Sequence, residues 1–135
     1  MTQSEIEAIK GNVFSWEHQE EYIPNTNEVY ADFVKQLFNN QCSIGGLAHA
    51  AMGISGESGE LLDAVKKHVV YSKPLDMVNV VEELGDLLFY VFAMMQEVGV
   101  TYDDVLDVNM QKLTKRYPNL TYTDKDAIER KDKEV

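Results

Sequence analysis

The sequence predicts an all-α protein with an antiparallel four-helix bundle-like core, and three observations predict it. Apolar residues recur at spacings of three and four through most of the chain after residue 28. Helix-start and helix-stop residues bracket those runs. No alternating apolar and polar run of useful length competes with them. Helices with one apolar side must bury it against other helices, which gives a bundle. A chain of 135 residues can enclose one core and is too short for two ordinary domains. A single domain is therefore expected, with its core over 28–118, an N-terminal extension over 1–27 and a charged tail over 119–135.

The first helix is expected from about Glu28 to Phe38, after the turn-forming run Ile23-Pro24-Asn25-Thr26-Asn27. Val29, Phe33 and Leu37, and beside them Tyr30, Val34 and Phe38, recur at helical spacing, and Asn39-Asn40-Gln41 reads as the end. A second helix is expected over 46–70, with Leu47, Ala51, Ile54, Leu61, Val65 and Val69 on its core side and Ser72-Lys73-Pro74 as its stop. Gly53, Gly56 and Gly59 inside it each cost roughly 1 kcal/mol relative to alanine, which implies close approach of another backbone or a ligand. The third helix should start at the N-cap Asp76 and run to Val98, with Gly99 ending it. The fourth should start at Thr101 or Asp103 and end near Arg116, because Pro118 resists continuation. From Thr123 the chain is densely charged and expected to be loosely held.

The formal charge of -11, from 12 basic and 23 acidic residues, excludes a surface built to neutralise nucleic acid or an anionic membrane. Such a protein can bind a polyanionic nucleotide only with a divalent cation between its carboxylates and the phosphates. The segment Met1 to Lys10 is polar, without the apolar centre of a signal peptide, and Glu82, Glu83 and Asp86 interrupt the longest apolar run. A soluble protein of the cytoplasm is expected. The lone Cys42 has no partner for a disulfide and no thiolate metal motif around it.

Chemistry concentrates on helices two and three. With Ile54 at zero, Glu57 lies about 60° and Glu60 about 120° around helix two, flanking the expected core stripe. On helix three, Asn79, Glu83, Asp86 and Tyr90 share one strip, and apolar residues occupy most of the rest. Carboxylates on so apolar a helix need a positive partner, and Lys66, Lys67 and Lys73 are too few to neutralise four of them. An all-oxygen cluster without histidine or cysteine suits magnesium, with manganese as a substitute, and points to phosphate-ester or anhydride hydrolysis. Either acidic pair alone is commonplace on a solvated helix; the two together, on adjacent apolar helices broken by glycines, point to a site.

The runs Gly56-Glu57-Ser58-Gly59-Glu60-Leu61 and Glu82-Glu83-Leu84-Gly85-Asp86-Leu87-Leu88 resemble the paired acidic motifs of the MazG-like all-alpha nucleoside triphosphate pyrophosphohydrolases. Asn109-Met110-Gln111-Lys112-Leu113 and Arg116-Tyr117-Pro118 are similar to that family's fourth-helix segment, so the likeness covers residues 44–118. The resemblance implies the all-alpha NTP pyrophosphatase fold. It also implies magnesium held by Glu57, Glu60, Glu83 and Asp86 as the catalytic set, cleavage between the α and β phosphates to a monophosphate and pyrophosphate, and a dimer or tetramer. Nucleotide-pool control with deoxynucleoside triphosphate substrates is the expected role. Some family members carry another glutamate just before the first motif; Gly56 stands there here, which leaves the general base unassigned, with Glu57 or Glu82 as weak choices.

Asn109, Lys112 and Arg116 share one face of helix four, so a cationic stripe is expected to meet the phosphates. His49, Lys66 and Tyr90 complete the expected substrate contacts, and Trp16 is a choice for stacking on a base. His18, His68 and the pair Met94-Met95 receive no chemical role. Helices this apolar in so short a chain also imply a homo-oligomer in which copies bury surface against each other. Two rival readings remain: a phosphoribosyl-ATP pyrophosphohydrolase, and a non-catalytic helical metal-binding or interaction protein. Di-iron bundle chemistry lacks its usual Glu-x-x-His pairs.

Overall fold

The structure is a computed structural model that describes residues 26–38 and 45–133. All its regular elements are helical: α1 Asn27–Leu37, α2 Gly46–Tyr71, α3 Met77–Val98, α4 Tyr102–Arg116, α5 Asp124–Glu129 and a single 3-10 turn Lys131–Lys133. They divide into two compact units, one ending at Val98 and one beginning at Gly99. The all-α expectation holds for the described residues. The expected turn at Ile23–Asn25, Trp16, His18, Cys42 and the expected stop at Asn39-Asn40-Gln41 lie outside them.

Helix starts follow the sequence signals closely. Thr26 caps α1, its hydroxyl accepting the Val29 N–H at 3.2 Å. Asp76 accepts the Asn79 N–H at 3.1 Å at the start of α3. Thr101 and Asp104 form a reciprocal capping box on α4, which satisfies two backbone donors that the first turn otherwise leaves unpaired. Gly99, with φ +73°, follows the last residue of α3 and takes the left-handed conformation that a side chain resists.

In the first unit, α2 and α3 form the principal packed pair and α1 lies on α3. Of the two apolar strips on α1, the one carrying Tyr30, Val34 and Phe38 turns inward, with Val34 fully buried, while Val29, Phe33 and Leu37 stay exposed. Tyr30 meets the Phe92 ring edge-on at 4.9 Å, and the Gln96 amide donates to the Ala31 carbonyl at 2.7 Å.

The orientation of α2 corrects the sequence reading. Its buried residues are Gly46, Ala50 and Ala64, with Gly53 half-buried among them. This seam lies about 90° around the helix from the expected stripe. Leu47 and Val69 are exposed, Val69 by 70%. Small residues win because α3 brings bulk to the contact: a Cβ at Gly53 would overlap the Tyr90 ring, and one at Gly46 would overlap the Glu97 carboxylate. The close approach inferred at Gly53 is thus present, although a ring makes it and not a backbone. A Cβ at Gly56 or at Gly59 would meet nothing within 4 Å. The rotation also moves Glu57 from the flank of the core onto the α2–α3 seam.

The second unit corrects the expectation of a loosely held tail. Residues 124–133 fold into α5 and the 3-10 turn. The Asp132 carboxylate there grips the Arg116 guanidinium through two bonds of 2.6 and 2.9 Å. A planar fork matched to two oxygens is the strongest geometry available to this pair.

Candidate functional site

Glu57 and Glu60 stand one turn apart on α2, and Glu83 faces them from α3. One oxygen from each of the three lies within 4.8 Å of the others. Glu83 is the most enclosed, with 9% of its surface exposed, and its carboxylate accepts a 2.6 Å hydrogen bond from the Asn79 amide one turn earlier. Three negative charges this close repel by roughly 1 to 3 kcal/mol per pair between aqueous and near-surface dielectric conditions.

Asp86 stands on the exposed side of α3, outside this trio, yet it is the strongest charge acting on Glu57. Burial, then Asp86, Glu60 and Glu83, push the Glu57 carboxyl above its ordinary range. Burial and Asp86 likewise raise the Tyr30 phenol, which puts α1 within electrostatic reach of the acidic strip. The four acids read from the sequence therefore form one electrostatic group, of which three converge closely.

The donor set fits a hard divalent cation. Oxygens around an octahedral magnesium sit about 2.1 Å from the ion and hence about 3 to 4 Å from one another, so side-chain adjustment of less than about 1 Å closes the trio. Among the described residues no nitrogen or sulfur ligand joins the cluster, which favours magnesium over zinc there. Lys66 and Lys67 both turn to Asp63, at 3.9 and 2.8 Å, and neither makes an ion pair with the trio.

The expected substrate contacts fall in three places. His49 and Tyr90 meet in an aromatic cluster with Phe38 and Phe89: His49 stacks on Phe38 at 4.9 Å, and Tyr90 stands edge-on to His49 at 5.8 Å and to Phe89 at 5.2 Å. Lys66 lies over the Tyr71 ring at 5.7 Å. Asn109, Lys112 and Arg116 lie on α4 in the other unit; the first two are exposed, and Arg116 is engaged by Asp132.

Sequence reasoning assigned no role to three residues that shape the site. Asn79 holds Glu83, and its signal was present in the i,i+4 spacing along the acidic strip. Tyr30 on α1 feels the charge of Asp86 on α3, a coupling that no spacing reveals. The third is His68, whose Nδ1–H donates to the Lys73 carbonyl at 2.8 Å and fixes the turn after α2.

The profile of the MazG nucleotide pyrophosphohydrolase domain matches residues 48–121. The chain is also 34% identical over 80 residues to the Gene 37 protein of Mycobacterium phage L5, covering 55% of this chain and 68% of that protein. No solved structure matches it significantly.

Proposed function

Because the chain belongs to the MazG nucleotide pyrophosphohydrolase family, we propose that it hydrolyses nucleoside triphosphates, deoxynucleotides among them, between the α and β phosphates in a magnesium-dependent reaction. The observation that carries this reading is the convergence of Glu57, Glu60 and Glu83 on one point, with no ion pair to any of the three among the described residues. A divalent ion bound there screens the phosphates and polarises the phosphorus under attack. Asp86 adds a fourth carboxylate at the exposed edge, where the substrate arrives.

The chain's own residues supply binding and orientation. Asn79 donates to Glu83 and so fixes the direction of its remaining lone pairs. His49 and Tyr90 offer half-buried aromatic surface for a base or sugar. Lys66, Asn109, Lys112 and Arg116 are the proposed phosphate contacts, with Arg116 needing release from Asp132 to serve. Manganese can replace magnesium in an all-oxygen site. The protein acts, on this reading, as a homodimer or homotetramer in the cytoplasm and controls the nucleotide pool.

The test is a panel of nucleoside triphosphates and phosphoribosyl-ATP incubated with purified protein and magnesium, with pyrophosphate quantified. Wild-type protein should release pyrophosphate from at least one triphosphate, and Glu60→Gln and Asp86→Asn should each lower that rate at least about a hundredfold, since they weaken metal-held charge in the transition state. Hydrolysis undiminished in both variants would sink the carboxylate-held metal site, and a wild type that releases no pyrophosphate from any triphosphate would sink the reading in favour of a non-catalytic helical protein.

A further inference from the structure

A cavity of about 450 Å³ opens where α2 turns into α3, lined by Ala64, Lys67, Tyr71, Lys73, Asp76 and Asn79 together with Pro74. The reading above does not use it. Its wall is held in place by the chain. Ser72 adopts the left-handed conformation with φ 52° and ends α2, and the Lys73 N–H returns to the Lys67 carbonyl at 3.2 Å. His68 holds the Lys73 carbonyl, so the backbone of Lys73 is fixed from both sides.

The charge in this cavity is opposite to that of the chain. Two lysines are among its lining residues, against a single carboxylate. That carboxylate, Asp76, is committed to the first turn of α3. Lys67 keeps its ion pair with Asp63, outside the lining, and Lys73 makes no ion pair among the described residues. In a protein of net charge -11, two lysines lining one cavity beside an acidic cluster suit an anion.

Asn79 joins the two places. It lines the cavity and donates to Glu83 of the acidic trio, one helical turn along α3, which is about 5.4 Å. The Lys67 ammonium, held charged chiefly by Asp63, also feels Asp76 and Glu83. A polyphosphate gripped through a cation at Glu57, Glu60 and Glu83 thus has this cavity as its neighbour along the helix pair.

We infer that the cavity is the subsite for the pyrophosphate half of the substrate, with Lys73 and Lys67 binding the phosphates that depart. This rests on the proposed pyrophosphohydrolase activity and adds the polarity of the bound triphosphate: its β and γ phosphates point to the α2–α3 turn and its nucleoside points away. A diphosphate is an acceptor-only anion, which suits two flexible ammonium groups better than a base carrying donors and acceptors in fixed directions.

The experiment is titration calorimetry of inorganic pyrophosphate with magnesium into wild type, Lys73→Gln, Lys67→Gln and, as a control far from the turn, Lys35→Gln. It is paired with inhibition of the wild-type and variant reactions by pyrophosphate and by nucleoside monophosphate. Lys73→Gln and Lys67→Gln should each weaken pyrophosphate about tenfold, the loss of one charge-assisted hydrogen bond, and leave monophosphate inhibition and the Lys35→Gln titration unchanged. Unchanged pyrophosphate affinity in both variants, absence of pyrophosphate binding to wild type, or a parallel loss of monophosphate binding would overturn the assignment. A wild type that hydrolyses triphosphates while its variants bind pyrophosphate normally sinks the subsite alone; a wild type that hydrolyses none sinks the activity.

Discussion

Asn79 shows how much one neutral side chain can govern in an acidic site. Its amide donates to Glu83 at 2.6 Å, and Glu83 is the most enclosed member of the trio. Removing a partner that orients a metal-binding carboxylate typically lowers metal affinity by about 10- to 100-fold. Asn79→Ala should therefore weaken magnesium binding by about tenfold in calorimetry while the protein stays folded by circular dichroism. Unaltered magnesium affinity would mean that Glu83 is oriented by its surroundings alone.

The Arg116–Asp132 pair makes a second claim at the same scale. The guanidinium beside it holds the Asp132 carboxyl down to about 2, below its ordinary 3.8, so the folded form binds its proton less readily than the unfolded form. The pair's stabilising contribution is fully present above 3.8 and is lost as the pH falls through about 2. The α5 segment should accordingly remain protected from hydrogen exchange at about pH 3.5 and lose protection nearer 2, whereas Asp132→Asn should expose it already at neutral pH. Equal protection in variant and wild type at neutral pH would show that the pair does not hold the segment.

At the scale of the element, α2 carries the sharpest contrast. Alanine is favoured over glycine within a helix by roughly 1 kcal/mol, so propensity alone treats Gly53 and Gly56 alike. The packing does not: a Cβ at Gly53 meets the Tyr90 ring, whereas one at Gly56 meets nothing within 4 Å. Gly53→Ala should destabilise the protein by about 1 to 3 kcal/mol through overpacking, and Gly56→Ala should stabilise it by up to about 1 kcal/mol, both by denaturant melts. A stabilised Gly53→Ala would mean that α2 and α3 are not packed at this seam. A destabilised Gly56→Ala would place a second copy or a ligand against that open face.

For the whole molecule, the exposed apolar surface sets the expectation. Leu62 and Val69 on α2 are 66% and 70% exposed, and Leu84 and Leu88 on α3 are also exposed. Patches of this kind commonly mark an interface, and no helix among the described residues is long and apolar enough to cross a membrane. With a second copy as the proposed occupant, sedimentation should report a dimer or tetramer for wild type, and Leu62→Glu with Val69→Glu should shift it toward monomer. A wild type that sediments as a monomer at all concentrations would refute the oligomer.

What the sequence by itself determined is local. Helix existence, the helix starts at Asp76 and Thr101, the stop at Gly99 and the paired acidic motifs all depend on interactions within a few residues, and the sequence spells those out. Tertiary structure alone decided which face of α2 is buried, because hydrophobicity counted Leu47 and Val69 as core while the Tyr90 ring left no room for a Cβ at Gly53. The same rotation places Glu57 on the seam. It took the fold, too, to bring Tyr30 near Asp86 and to fasten Asp132 onto Arg116. Contacts between residues far apart in the chain depend on packing geometry, and periodicity along one helix carries no information about the shape of its neighbour.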